Sequence, residues 1–175
     1  VVLGSICSTA SEAAATVSQV AGVTNIIAGA ASSNLTRAGE YIFLVSPSAA
    51  VQAKFTAEYI YKDLKKTKVA VVNSQDDWNA SLADSFMNNF KELGGKIVYN
   101  NNLSVDPKPK DIESIVSKVR ANKAEVIYSP TNPSAGLLLI KEVKAYKVRP
   151  LLVGAQFWDV PEIITANEAN EVSYV

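Results

Sequence analysis

Histidine is absent from the 175 residues, and this absence excludes more chemistry than any other feature of the chain. Ser-His-Asp and Cys-His nucleophile systems need an imidazole base, and every His-containing metal site needs its ring nitrogen. Cysteine occurs once, as Cys7. No disulfide can therefore close within the chain, and the thiol is either buried or half of a bridge to a segment outside this sequence. Net charge is missing too, because 17 basic residues cancel 17 acidic ones. The balance offers no electrostatic case for nucleic acid or an anionic membrane as partner. No apolar run approaches the roughly 20 residues of a membrane-spanning helix. No charged stretch leads into an apolar one at the start, so a signal peptide would have to lie outside the sequence. A Gly-x-Gly-x-x-Gly loop for phosphates is lacking as well.

What is present is a chain 48% hydrophobic and 19% charged, long enough for one large domain or a pair of small lobes. Strand-like and helix-like periods alternate almost without a break. Strands are expected over residues 2–6, 24–28, 41–45, 68–72, 96–99, 125–128, 151–153 and 172–175. Several are nearly continuous Val, Ile and Leu, as in strands covered on both faces. Between them, Ser48 caps an Ala-rich helix. Leu82, Phe86, Phe90 and Leu93 form one stripe that stops at Gly94-Gly95, Asp111 opens a third helix, and Asn132-Pro133 reads as N-cap and N1 of a fourth. Alternating βα units specify an α/β fold with doubly wound parallel sheets and helices on both faces. Ser46-Pro47-Ser48 marks a boundary. Residues 1–46 hold three strands and one clear helix, too few to bury a core. Residues 47–175 hold four complete strand–helix units, enough for a lobe.

In such sheets, ligands sit beyond the carboxyl ends of the strands. The residues there are Ser8, the 29–33 turn, Gln75 to Trp78, Pro130 to Asn132 and Gln156 to Trp158, all rich in hydroxyl, amide, glycine or aromatic groups. Thr9-x-x-Glu12 has the spacing of a capping box. With Thr9 capping the helix, the Ser8 hydroxyl and nearby amides are free to hold an anion, of which a carboxylate is the commonest small example. Trp78 follows Asp76-Asp77 in a stretch expected to be a polar loop, where it is either the wall of a ligand pocket or an indole on the surface. The adjacent carboxylates read as solvated, dipole-favourable residues. Tyr61-x-x-x-Lys65 matches a dehydrogenase spacing, but it falls late in a helix whose other face is apolar and reads as chance. Three Asn-x-Ser/Thr patterns, at Asn34, Asn79 and Asn102, are weak glycosylation motifs.

Together these segments resemble the type I periplasmic solute-binding proteins, in the branched-chain amino-acid-binding (Leu/Ile/Val-binding) branch serving ABC importers. The resemblance is carried by Gly4-Ser5-Ile6-Cys7-Ser8 before an Ala-rich helix, by Ala21-Gly22-Val23, and by the Ser/Ala turn ending in Asn34-Leu35-Thr36. It continues through Tyr41-Ile42-Phe43-Leu44-Val45-Ser46-Pro47-Ser48, through Val69-Ala70-Val71-Val72 with Trp78, and through Gly154 to Glu162. It implies two αβα lobes closing on a ligand, with residues 1–46 part of the first lobe and 47–175 nearly all of the second. By the same resemblance, Ser8, Gly29 and Ala31 lie where relatives hold the ligand's α-carboxylate. Ser32 stands as a substitute for the threonine that Ala31 replaces. Trp78 falls where relatives place an aromatic residue over the ligand. Gln156 stands for an expected acidic residue, and Thr131 or Asn132 for an expected tyrosine. Cys7 matches a position that in some relatives bridges to the opening segment.

The implied function is capture of a small carboxylate-bearing ligand without chemistry, no cofactor or metal, and delivery to an ABC permease. The location would be periplasmic or extracellular, with a lipoprotein anchor as one option. The expected ligand is an amino acid or a related organic acid, and a neutral Gln156, which cannot pair a buried ammonium, points toward an acid without the α-ammonium. The alternatives are a ligand-sensing extracellular receptor domain or the effector domain of a regulator, since fold alone does not fix function. A partial lobe also exposes apolar strand edges, which invite a swapped or edge-paired dimer.

Overall fold

The computed structural model of the chain describes residues 1–30, 32, 34–104, 106–146, 150–166 and 172–174. The strands fall into two separate parallel sheets. In the first, β1 (Val2–Leu3) pairs with β2 (Asn25–Ile27), which pairs with β3 (Ile42–Leu44). Helix α1 (Ser8–Val20) joins β1 to β2, and a short 3-10 turn, Leu35–Arg37, precedes β3. The second sheet has five strands: β4 (Lys68–Ser74), β5 (Lys96–Leu103), β6 (Val126–Ser129), β7 (Leu151–Gly154) and β8 (Val172–Tyr174). Their order is β5-β4-β6-β7-β8. The helices are α2 (Ala49–Glu58), α3 (Asp77–Glu92), α4 (Pro109–Ala121), α5 (Pro133–Ala145) and the short α6 (Pro161–Ile164).

The side-chain alternation of β4 shows why the second sheet is covered twice. Val69 and Val71 join a core with α2 and α3, through Ala53, Ala57, Leu82, Phe86 and Phe90. Ala70 and Val72 point the other way, into a core with α4 and α5 that includes Ile112, Val116, Leu139 and Ile140. Successive residues of a strand face opposite sides, so a strand buried on both must be apolar throughout. The first sheet buries much less: Ala15, Ile27, Ala30, Leu35 and Ile42 make its cluster. Val1, Leu3, Ile6, Phe43 and Val45 remain exposed.

Most expected elements appear, with revised ends. Strands β4 and β5 run on through Ser74 and Leu103, because the polar Asn73-Ser74 and Asn100-Asn101-Asn102 continue the same ladder. Ser48 caps α2, accepting from the Val51 amide. Asn132 caps α5, with Pro133 at its first position. Helix α4 opens earlier than expected, at Pro109, and Asp111 sits in its first turn accepting from the Lys108 amide at 2.9 Å. The helix after Ser48 ends in a π-helical turn, Tyr59–Asp63. There the Tyr61 ring packs edge-on against Phe90 at 6.0 Å, and Lys65 lies past the helix in a left-handed conformation. The Tyr61/Lys65 spacing is thus incidental to packing.

The first helix needs two corrections. Its N-cap is Cys7, which makes no side-chain capping bond, and Ser8 is its first residue. The Thr9–Glu12 capping box does not form, because both side chains have tertiary partners: Thr9 bonds Asp77, and Glu12 accepts from Ser32 and Asn34. Cys7 is exposed, not buried.

Candidate functional site

The turn from β1 into α1 is built by serines. Ser11 Oγ accepts from the Ser5 amide and donates to the Ser5 carbonyl, each at 3.3 Å, and the Cys7 amide donates to Ser5 Oγ. This delivers Ser8 to the helix start with its side chain 6% exposed and its hydroxyl unpartnered. The first turn of α1 carries no acidic side chain of its own, so the positive end of the helix dipole is uncompensated from within. Gly29 follows β2 and meets this turn closely. A Cβ there would lie 3.1 Å from Ile6 Cα, so the two turns pack closely and a side chain at position 29 would ask its neighbour to give by a few tenths of an ångström. Ser46 Oγ ties the same turn down by donating to the Ala30 carbonyl. Ser32 is buried, but its hydroxyl is already donated to Glu12 Oε1. Ala31 lies outside the described residues.

On the other side, α3 is capped by Asp76, which accepts from the Asn79 amide at 3.0 Å and the Asn79 side chain at 2.7 Å. Trp78 is the second residue of this helix, not a loop residue, and is only 6% exposed. It packs into the α2–α3 core, and the Phe157 ring lies against it at 4.7 Å and 57°. Its indole N–H has no partner, and neither does Asn79 Oδ1. A buried indole N–H ordinarily finds an acceptor. Leaving one unmade costs about 1–3 kcal/mol. Among the described residues, five buried side-chain polar atoms lack a partner. Three of them, on Ser8, Trp78 and Asn79, belong to the first turns of α1 and α3; the other two are both on Asn25 in β2.

Those two turns touch. Thr9 Oγ1 donates to Asp77 Oδ2 at 2.6 Å, and Ser8 and Trp78 each adjoin one of the bonded residues in sequence. Asp77 therefore supplies at the start of α1 the negative charge that α1 lacks. Gln156 stands exposed in the 3-10 turn Gln156–Trp158, next to Phe157.

Thr131 and Asn132 do not join this cluster through free groups. Thr131 is fully buried, accepts from Trp158 Nε1 at 3.2 Å and shares a hydrogen bond with Ser129. Trp158 belongs to the opposite core, with α4 and α5. The Asn132 side-chain oxygen accepts from Ala135 N and Ser134 Oγ, and its amide donates to Ser74 Oγ. Sequence reasoning missed the parts of Thr9, Asp77 and Phe157, because a contact between residues 68 apart leaves no trace in local spacing. A separate polar groove of about 340 Å³ lies between β5 and α4, with Tyr99, Asn101, Ser114 and Lys118 in its walls; none of the sequence-predicted site residues lines it. Among the described residues no three His, Cys, Asp or Glu side chains gather to hold a metal ion.

The family described as periplasmic binding protein matches residues 1–168. An amino acid binding protein of Pseudomonas aeruginosa is 32% identical over 140 residues, covering 79% of this chain and 37% of that relative. The solved structure of a leucine binding protein from Thermotoga maritima superposes with a TM-score of 0.81 at 20% identity, covering 97% of this chain and 47% of that one. A solute binding protein of an ABC transporter from Rhodopseudomonas palustris, solved with 3,4-dihydroxy benzoic acid, gives a TM-score of 0.73 at 20% identity, covering 89% of this chain and 43% of its own. The chain thus spans well under two thirds of the length of each.

Proposed function

The chain belongs to the periplasmic binding protein family, and from that premise we propose that it serves as the extracytoplasmic solute-binding protein of an ABC importer. Residues 1–46 contribute to one lobe and residues 47–175 make most of the other. A small carboxylate-bearing ligand is held where the two meet and is handed to a membrane permease. The protein works in the periplasm or outside the cell.

One observation supports the reading of an anchored ligand above others: the buried, unpartnered Ser8 hydroxyl at the start of α1. A helix N-terminus offers amide donors and a positive field, and a carboxylate satisfies both with the hydroxyl. Gly29 brings the neighbouring turn close enough to add to the same clamp. Ser32 acts indirectly, through Glu12, and Trp78 with Phe157 gives the ligand an aromatic wall.

At the opposite end of the ligand Gln156 is neutral, and the Thr131 and Asn132 side-chain oxygens have protein partners. The ligand is accordingly a carboxylic acid without an α-ammonium, unlike the ligands implied by the name of the Pseudomonas relative. A thermal-shift panel on the full-length protein tests this. Simple aliphatic and aromatic acids should raise the melting temperature. Stabilisation by leucine or valine, with none from such acids, would refute the ligand class.

A further inference from the structure

Strand β5 is the outermost strand of the second sheet, and among the described residues no strand pairs with its outer edge. Proteins blunt such edges with charge, proline or a bulge. Here Lys96 and the register break opposite Val69 and Ala70 blunt only the start of the strand. The stretch from Tyr99 to Leu103 carries no charge, proline or register break, and this stretch borders the groove of about 340 Å³. Asn100, Asn101 and Asn102 lie within it, although asparagine is depleted in strands. Their amides offer both donors and acceptors.

The groove is ordered by charge. Asp111, Ser114 and Lys118 of α4 all line it, and spacings of three and four residues put them on one helix face. A helix linking parallel strands runs back against them. Asp111, in the first turn of α4, therefore lies toward Ser104. Lys118 lies over Tyr99, with Nζ 6.0 Å from the ring centre. Neither charge has an ion-pair partner among the described residues, and Asp111 uses only Oδ2 for the Lys108 amide. The strand side is pre-set: Tyr99 Oη donates to Asn101 Oδ1, and Asn101 Nδ2 to the Asn102 carbonyl, each at 3.2 Å. Leu103 and Ile115, both buried, give an apolar floor.

We propose that this groove is a second binding site, for a short zwitterionic peptide that adds to the edge of β5 as an antiparallel strand. Its carboxylate meets Lys118, its ammonium meets Asp111, and its backbone bonds the open edge between Tyr99 and Leu103. Charge and edge agree on direction, since a chain running from Asp111 to Lys118 runs against β5, the more stable pairing. Length agrees as well. Seven helical residues rise about 10 Å, and an extended tripeptide spans about 10 Å. None of the residues assigned to the α1–α3 junction lines the groove, so this inference stands apart from the reading of that junction.

Trialanine is the probe, titrated into the full-length protein and followed by backbone amide shifts in two-dimensional NMR. The amides from Tyr99 to Leu103 should shift and saturate while those around Ser8 stay still. N-acetyl-trialanine amide keeps the backbone but lacks both end charges, and should bind about threefold to tenfold more weakly. Lys118→Gln keeps the stem over Tyr99 and should weaken trialanine by a similar factor, leaving the blocked peptide unchanged. Equal binding of free and blocked peptides would overturn the zwitterion assignment. No shift along β5 with millimolar trialanine, or shifts at Ser8 instead, would overturn the site.

Discussion

The Thr9 hydroxyl donates a 2.6 Å hydrogen bond to Asp77 Oδ2 across 68 residues of sequence, and this bond joins the first turns of α1 and α3. Its two ends belong to helices that pack on different sheets. The bond is exposed, so water competes for both partners and its effect on folding is small. Its effect on the relation between the two helices is larger, because it ties together the turns that carry Ser8 and Trp78. Thr9→Val and Asp77→Ala, each of which removes the bond, should leave the melting temperature within about 1–2 °C of wild type and weaken ligand binding by about threefold to tenfold. Calorimetry beside a thermal melt separates the two effects. An unchanged affinity in both variants would remove the bond from the binding account.

Ser8 gives the opposite pattern to an ordinary buried serine. Its hydroxyl has no partner in the protein, so Ser8→Ala removes an unmet polar group and should leave stability unchanged or slightly raised. On the proposed binding mode the same change deletes a donor to the ligand carboxylate and should weaken affinity by about tenfold or more. A variant both less stable and unaltered in binding would show that the hydroxyl serves the fold.

Trp158 is held between two glycines. A Cβ on Gly154 would stand 2.3 Å from Trp158 Cδ2, and one on Gly136 would stand 2.6 Å from its Cε2 and Nε1. Neither Gly154→Ala nor Gly136→Ala can be accommodated without moving a fully buried indole that also bonds Thr131. Each should destabilise the second-sheet unit by about 1–3 kcal/mol, read from denaturant midpoints. Gly29→Ala is milder in stability, since 3.1 Å to Ile6 asks for a shift of tenths of an ångström, but it should disturb the turn that faces Ser8.

Glu125 links pH to stability. Its Oε2 accepts from the Thr67 and Lys68 amides at 3.0 Å and from the Thr67 hydroxyl. The Thr67 amide is the main cause of a pKa below the ordinary glutamate value, with the Lys68 amide and the Lys66 charge adding to it against a desolvation that works the other way. A lowered folded-state pKa means stabilisation that is fully present above the unfolded value, near 4.3, and lost as pH falls through the folded one. Glu125→Gln should flatten the acid side of the melting-temperature profile and leave little pH dependence from this site. The same acid slope in both proteins would contradict the assignment.

Much of the fold was legible because burial writes itself into sequence. The unbroken Val69-Ala70-Val71-Val72 run says that both faces of β4 are covered, and the two cores confirm it. Ser48 and Asn132 mark helix starts by the same logic, each accepting from a first-turn amide. Thr9 and Trp78 were less legible for one shared reason. Thr9 has a good capping spacing, yet a carboxylate from another helix outcompetes the local amide. Trp78 has the polar neighbours of a loop, yet Asp76 caps a helix there and carries the indole under Phe157. At the site, Ser8 was readable as a helix start with spare donors. That Thr131 turns to Trp158, and Ser32 to Glu12, could not be read from one dimension.

The central claim is that a ligand carboxylate is held at Ser8, and its most direct measurement is a crystal structure of the full-length protein. The crystals would be grown with whichever acid gives the largest thermal shift. A carboxylate oxygen within about 2.5–3.2 Å of Ser8 Oγ, facing the first-turn amides of α1, is the predicted result. Ligand density with the carboxylate elsewhere, and Ser8 Oγ still unpartnered, would contradict it.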